Sequence, residues 1–183
     1  GALNGSTGVL TSTADFDLRS GTVNFSSTGG LGGSVKAVKS TGGTVTLANN
    51  GLGSFANVVD VNGGTLSFSA ANQLGSAAAS NTIGLNNGTL SYSGTGSVAL
   101  GGTRVVTLGA SGGTFEVAQG TGTLTATGGI AGASTGNLTK TGAGTLVIPG
   151  TSSWNGGLST VSVNDGTLRA GFGTAGIAAV SVG

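Results

Sequence analysis

Hydrophobic and polar residues alternate over short stretches of this chain, and each stretch begins with the threonine of a Gly-Thr pair. Alternation with a period of two, in β-branched and aromatic residues that follow a glycine, is typical of a β-strand with one buried face. The second and fourth residues of each stretch are predicted to point inward, and the first and third outward. A Gly-Thr pair that opens such a stretch occurs eight times, at Gly21, Gly43, Gly64, Gly88, Gly113, Gly122, Gly144 and Gly166.

A second apolar pair precedes several of these glycines by five and three residues, as in Val59 and Val61 before Gly64. The two residues between the strands, such as Asn62-Gly63, tolerate left-handed backbone angles and predict a sharp corner. A third feature keeps the same spacing. It consists of Leu31-Gly32, Leu52-Gly53, Leu74-Gly75 and a later copy, Phe172-Gly173. Each repeat is therefore predicted to form strand, corner, strand and a looser connection.

The spacing of the glycines predicts the architecture. With Gly122 left aside, the steps are 22, 21, 24, 25, 31 and 22 residues. A period near 22 residues is typical of a stacked solenoid. The prediction is an all-β parallel β-helix of about eight coils of roughly 22 residues, forming one segment over residues 1–183. The long step is interpreted as a full coil plus a short extra strand. An antiparallel sandwich is the alternative, but it would not need corners in register.

The composition narrows the chemistry. The chain has 40 glycines among 183 residues, 6% charged residues, and neither cysteine nor histidine. Thiolate chemistry, disulfides, histidine bases and the usual zinc sites are therefore excluded, and no cofactor, metal site or catalytic residue is predicted. Six basic and five acidic residues are scattered singly, which argues against a nucleic-acid partner. No apolar run is long enough to insert this segment into a membrane as a helix.

Three residues are candidate ligand contacts. Asp15 and Asp17 lie two residues apart on one predicted strand, so both carboxylates face the same side. Such a pair could serve acid–base chemistry or calcium in a β-helix lyase or hydrolase, but a solvated outer face is favoured, because the other acidic residues occupy unrelated positions in the repeat. Trp154 lies in a long connection, where it could stack on a sugar ring or pack over the flank of the solenoid.

The threonines after the glycines form one outward column. A flat hydroxyl array could bind ice, but this requires a second outward column beside the first. The expected second column is irregular, so an internal threonine ladder with hydroxyls bridging the coils is favoured. It consists of Asn24, Thr46, Ser67, Ser91, Glu116, Thr125, Val147 and Arg169.

Residues 137–171 resemble the passenger-associated transport repeat of bacterial autotransporter (type V secreted) passenger domains. The matching stretches are Leu138-Thr139-Lys140-Thr141-Gly142-Ala143-Gly144-Thr145-Leu146 and Val163-Asn164-Asp165-Gly166-Thr167-Leu168. The block from Leu74-Gly75-Ser76 to Asn86-Asn87-Gly88-Thr89-Leu90 is similar to the autotransporter-associated strand repeat. Pro149 and Trp154 depart from the usual pattern of the family.

The resemblance implies a right-handed parallel β-helix displayed outside a Gram-negative-type cell after export across the outer membrane. We therefore expect a non-enzymatic structural segment of a passenger that supports export, folding and adhesion or self-association. Its expected partners are a cell-surface glycan or protein, or further coils at its ends, because Val180 and Val182 begin a strand that stops mid-coil. The alternatives are a carbohydrate-active β-helix fragment and, below it, an ice-binding solenoid.

Overall fold

The chain is an all-β parallel solenoid. The computed structural model describes residues 1–26, 28–131, 136–149, 160–171 and 180–183. The chain winds through about seven turns of about 23 residues with almost no helix, which confirms the predicted parallel β-helix. The Gly-Thr pairs at Gly113 and Gly122 lie within a single turn.

Each turn contains two or three short strands in the described structure, and one 3₁₀ helix, η1, spans Ala71–Leu74. In chain order the strands are β1 Ala2–Gly5, β2 Val9–Thr11, β3 Phe16–Leu18, β4 Gly21–Phe25, β5 Gly30–Gly32, β6 Ala37–Lys39, β7 Thr44–Asn49, β8 Val59–Val61, β9 Gly64–Phe68, β10 Ile83–Leu85, β11 Gly88–Tyr92, β12 Ser97–Ala99, β13 Val106–Leu108, β14 Gly113–Val117, β15 Thr123–Thr125, β16 Ile130–Ala131, β17 Leu138–Thr141, β18 Thr145–Ile148, β19 Val161–Val163, β20 Thr167–Ala170 and β21 Val180–Val182. Among the described residues, no helix has the length and apolar character needed to cross a membrane.

The strands form four parallel sheets. The nine-stranded sheet has the order β1-β4-β7-β9-β11-β14-β17-β19-β21, and the six-stranded sheet has the order β16-β13-β10-β8-β6-β3. A four-stranded sheet, β12-β15-β18-β20, and a two-stranded sheet, β2-β5, complete the described structure. Along the chain, a strand of the nine-stranded sheet is followed by one of the two-stranded or four-stranded sheet and then by one of the six-stranded sheet. The successions β4-β5-β6 and β11-β12-β13 are examples. A coil therefore passes over three walls.

Inward side chains stack in columns between the walls. In the nine-stranded sheet Val45, Leu66 and Leu90 pair directly, and all three are buried. Val23 holds the equivalent place after its Gly-Thr glycine, but it pairs with Leu47, because β4 is offset from β7 by two residues. Since side chains alternate with a period of two, this offset leaves Val23 on the buried face. All four residues therefore lie on one buried wall.

The looser connection forms part of the third wall, as the Leu-Gly spacing predicts. Leu31, Leu52 and Leu74 are completely buried. The backbone N–H of Leu31 donates to the carbonyl of Leu52 at 3.0 Å, and that of Leu52 donates to Gln73 at 2.8 Å. The copy at Phe172-Gly173 lies outside the described residues.

The Gly-Thr strands change wall along the chain. In the first part, β4, β7, β9, β11 and β14 all lie in the nine-stranded sheet. From β15 onward, the Gly-Thr strands β15, β18 and β20 lie in the four-stranded sheet, while the strands that precede their corners, β17 and β19, occupy the nine-stranded sheet. The extra short strand predicted around Gly122 is β15, and it shifts the repeat by one wall.

Candidate functional site

Two buried lysines lie where the strand before a corner ends. Lys39 closes β6 in an inward position between Leu18 and Val61, and Lys140 occupies an inward position of β17 between Phe115 and Val163. Neither side chain is exposed to solvent. An unpaired charge is rarely buried, because removing it from water is costly unless hydrogen bonds replace the hydration shell.

Backbone carbonyl oxygens provide those hydrogen bonds. The Nζ of Lys140 donates to the carbonyls of Thr141 at 2.8 Å, Gly142 at 2.6 Å and Asp165 at 3.1 Å. The last of these carbonyls belongs to the next coil. Each ammonium hydrogen therefore has an acceptor, and the lysine joins two consecutive coils at their corners.

The hydrogen bonds of Lys39 follow the same pattern in an earlier coil. Its Nζ donates to the carbonyl of Thr41 and, at 3.1 Å, to the carbonyl of Gly63 in the next coil. Gly63 and Asp165 each precede the glycine of the following Gly-Thr pair, so the two sites are equivalent. We call each of them a lysine clasp, consisting of Lys39 with Thr41 and Gly63, or Lys140 with Thr141, Gly142 and Asp165.

Burial lowers the pKa of both clasp lysines, because a charged amine is disfavoured away from water. Nearby carboxylates partly oppose this effect on each pKa. For Lys39 the carboxylate is Asp17 of the preceding coil, and for Lys140 it is Asp165 of the next coil, followed by Glu116 of the preceding coil. The clasps are thus cationic centres that are held mainly by backbone dipoles.

Arg104 is a third buried cation without a carboxylate partner. Its Nη2 donates to the carbonyls of Gly75 at 2.8 Å and Ser76 at 2.9 Å, just after η1 ends. Burial lowers the pKa of Arg104 to about 10. Its Nε has no hydrogen-bond partner within the described part of the chain. Arg104 therefore ties two coils together on the third wall, as the lysines do at the corners.

The acidic candidates lie on the outer side of the six-stranded sheet. Asp17 is an outward residue of β3, and its Oδ2 accepts a bond from Arg19 Nε at 2.7 Å. A bond from Ser40, followed by the bond from Arg19, lowers the pKa of Asp17. Asp15 Oδ1 accepts the backbone N–H of Lys36 at 2.9 Å. The bonds to Asp17 therefore favour its charged form, which suits an acceptor role better than that of a proton donor.

A shallow groove of about 330 Å³ lies farther along the same outer surface. Asp60, Gly84 and Thr107 follow one another across it in register. The Oδ2 of Asp60 pairs with Lys36 Nζ at 2.9 Å. A Cβ at Gly84 would lie 2.4 Å from Asp60 Oδ1, so this glycine keeps the groove open. The groove presents a carboxylate, a hydroxyl and the amides of Asn62 and Asn86.

The structure brings Asp15 and Asp17 to one outer surface, as expected. Trp154 lies outside the described residues. Groups of three or more potential metal ligands are absent from the parts of the chain that the structure describes. The burial of Lys39, Lys140 and Arg104 was not predicted from the sequence. For the lysines a signal existed, because each lies four residues before a Gly-Thr glycine, whereas at Gly21, Gly64, Gly88 and Gly166 only two residues separate the last inward residue from the glycine.

No protein-family model, no curated protein and no solved structure matches this chain.

Proposed function

We propose that this chain is a non-enzymatic structural and display segment of a secreted or surface-exposed passenger of the autotransporter type. In this role the solenoid is a spine that carries adhesive or self-associating regions away from the cell. A solenoid also suits export, because its coils can be added one after another as the chain emerges.

The lysine clasps are the observation that carries the proposal. The clasp of Lys140 lies inside the stretch that resembles the passenger-associated transport repeat, and Lys39 repeats its geometry in an earlier coil. Each clasp joins a finished coil to the following one. A growing end that is locked coil by coil would favour vectorial folding outside the cell, and this is the step that the repeat is expected to support.

The lowered pKa of Asp17 supports a role other than catalysis. A general acid needs a raised pKa, whereas the bonds from Ser40 and Arg19 lower the pKa of Asp17. The groove beside Asp60 is the feature that favours the alternative, a carbohydrate-active segment, because its polar lining could hydrogen-bond a sugar.

Surface display tests the proposal directly. The chain would be placed between a signal peptide and an autotransporter translocator in a Gram-negative host, with an epitope tag at its N-terminal end. We expect the tag to be accessible to antibody on intact cells and the solenoid to resist added protease. Lys140→Ala and Lys39→Ala should lower the displayed amount, whereas Lys36→Ala, which removes only a surface ion pair, should not.

Retention of the wild-type chain inside the cell, or equal display of all three variants, would contradict the proposal. The carbohydrate-active alternative is tested separately by incubating the purified chain with acidic and neutral polysaccharides. Cleavage that disappears in the Asp15→Asn/Asp17→Asn or Asp60→Asn variant would replace the display function with an enzymatic one.

A further inference from the structure

The outer side of the nine-stranded sheet carries two adjacent columns of hydroxyl side chains. The first column runs in register from Thr44 through Thr65, Thr89, Thr114 and Thr139 to Ser162. The second runs from Thr46 through Ser67, Ser91 and Glu116 to Thr141. We call these two columns the hydroxyl face. Ten of its eleven residues are threonine or serine.

This regularity corrects the sequence-based expectation of an irregular second column. Thr125, Val147 and Arg169 were assigned to that column, but they lie in the four-stranded sheet. Their place beside Glu116 is taken by Thr141 of β17. The change of wall that displaces the Gly-Thr strands therefore extends the hydroxyl array.

The hydroxyl groups of the face have no hydrogen-bond partner among the described residues. The expected ladder of hydroxyls bridging the coils is not found, since no hydrogen bond joins the face hydroxyls of successive coils in the described structure. Amide side chains beside the face do form such bonds, as Asn24 Nδ2 donates to Asn4 Oδ1 at 3.2 Å and Asn49 Nδ2 donates to Asn24 Oδ1 at 2.7 Å. Hydroxyls at corners also bond to the coil before them, as Thr41 Oγ1 does with the carbonyl of Arg19 at 2.7 Å.

Ser91 makes the same point at the centre of the face. Its side chain points outward between the buried Leu90 and Tyr92, and the residue is only 4% exposed. Its hydroxyl nevertheless has no hydrogen bond to another described residue. Its oxygen keeps contact with solvent, so water is the partner that satisfies it. The surrounding threonines are partly or fully exposed and bind water in the same way.

The spacing between successive hydroxyls within a column determines how water can bind to the face. Strands of a sheet lie about 4.8 Å apart, so hydroxyls of neighbouring coils with the same rotamer are separated by the same distance. This is too far for a direct bond of about 2.8 Å, but one water molecule can bridge the pair. Its two bonds would then form an angle of about 118°. That angle is close to the tetrahedral arrangement of water in ice.

The side chains of the face argue against other partners. Protein interfaces depend on tyrosine, tryptophan and arginine anchors, and sugars stack on aromatic rings, whereas the eleven residues of the face include none of these. Glu116 carries its only charge, so a nucleic acid or another highly charged surface has no counterpart here. A flat array of small groups that donate and accept hydrogen bonds fits an ordered layer of water.

We infer that the hydroxyl face binds the surface of an ice crystal by ordering a layer of water between the threonine and serine columns. This activity would be independent of the proposed display role, although a displayed spine could bring it to a cell surface. Within the hydroxyl face, Glu116 is the one residue that interrupts the array, because it places a longer charged side chain in a column whose other members are threonine or serine.

The test is capture of the purified chain by a slowly growing ice hemisphere, together with thermal hysteresis of its solution. We expect the wild-type chain to enter the ice, and Thr89→Tyr, at the centre of the face, to lose most of this capture. Thr145→Tyr is the matched control, because Thr145 is also an outward threonine of a Gly-Thr-Leu strand but lies in the four-stranded sheet. This control should be captured like the wild type.

Glu116→Thr provides a gain-of-function test that a merely structural role would not predict. It completes the second column, so capture and hysteresis should both rise above the wild-type level. Circular dichroism of each variant shows whether it is folded. Exclusion of the wild-type chain from ice, or equal losses in Thr89→Tyr and Thr145→Tyr, would overturn the inference. Binding to insoluble polysaccharide that Thr89→Tyr abolishes, without ice capture, would also overturn it.

Discussion

The corners at Lys39 and Lys140 have the same local structure but lie on different walls of the solenoid. At both, the lysine binds carbonyl groups of its own corner and of the corner in the next coil. Yet Lys39 ends a strand of the six-stranded sheet, whereas Lys140 belongs to the nine-stranded sheet. The repeat therefore encodes a transferable unit of strand, corner and strand. It does not encode which wall the unit occupies.

The glycines that follow the two clasps show how closely the units match. Gly64 has a φ of +61°, and a Cβ there would lie 2.3 Å from the carbonyl oxygen of Gly43. Gly166 has a φ of +69°, and its Cβ would lie 2.4 Å from the carbonyl oxygens of Gly142 and Gly144. Both positions require glycine for the backbone angle and for the approach of the preceding coil.

Substitution of these glycines should have the largest effect. We expect Gly64→Ala and Gly166→Ala each to destabilise the solenoid by about 4 kcal/mol, because the added methyl group overlaps a backbone oxygen and the residue needs a positive φ. Thermal unfolding followed by circular dichroism measures the loss. Gly42→Ala is the control, since nothing lies within 4 Å of a Cβ at that position. If Gly42→Ala lost as much stability as Gly64→Ala and Gly166→Ala, the close backbone contact at the two corners would not be the cause of the loss.

Removal of a clasp should have the next largest effect. Lys39→Ala and Lys140→Ala should each cost roughly 2–4 kcal/mol, because they leave a cavity and buried carbonyls without donors. Urea unfolding measures both. The comparison of the two corners predicts losses of similar size despite the different walls. A large loss in only one variant would mean that the wall, and not the clasp, decides stability.

Lys36→Ala is the control for the clasps. Lys36 also pairs with a neighbouring coil, through Asp60, but its side chain is 51% exposed. A pair so exposed contributes about 1 kcal/mol or less. Hydrogen exchange of the Gly63 and Asp165 regions would show whether each clasp variant opens its own corner first.

The clasps should also give stability a pH dependence above neutrality. Burial lowers the pKa of Lys39 and Lys140 below their ordinary value of 10.5, so the folded chain binds fewer protons than the unfolded chain in this range. The free energy of unfolding should therefore rise as the pH increases toward 10.5. Urea unfolding at several pH values should show a smaller rise in the Lys39→Met/Lys140→Met variant. An unchanged slope in that variant would assign the effect to other groups.

The smallest expected effect distinguishes the two corners. Ser40, which follows Lys39, donates to Asp17, and this bond is the main reason why the pKa of Asp17 is low. Thr141, which follows Lys140, lies opposite Glu116 in register. Ser40→Ala should raise the pKa of Asp17 toward 3.8 in an NMR titration, with little change in the melting temperature. An unaltered pKa would show that Arg19 alone holds the charge.

Much of the fold follows from alternation and spacing. Strand pairs such as Val59–Val61 and Gly64–Phe68 were predictable, because apolar residues at a period of two on both sides of an Asn-Gly corner leave few other arrangements. The spacing of Leu31, Leu52 and Leu74 indicated equivalent places in successive coils, but it did not predict that all three are completely buried. The burial of Lys39, Lys140 and Arg104 was not predictable, since charged residues are expected outside until the carbonyls that surround them are located in space.

The candidate surfaces were likewise predictable from the sequence only in part. The shared outer side of Asp15 and Asp17 follows from their two-residue separation, but their bonds to Lys36 and Arg19 depend on neighbouring coils and side-chain rotamers. The second hydroxyl column could not be derived correctly from the repeats. It contains Thr141 in place of Thr125 because β17 replaces a Gly-Thr strand in the nine-stranded sheet.

The sequence by itself determined the local unit, meaning the alternating strands, the glycine corners and the period that requires coils to stack. Those properties depend on backbone sterics and on side-chain direction, which act over a few residues. The tertiary structure alone decided the register between coils, the wall on which each strand lies and the carbonyl cages of the buried cations. These depend on contacts between residues about one coil apart, where a short strand such as β15 moves every later unit to the next wall while leaving its local pattern intact.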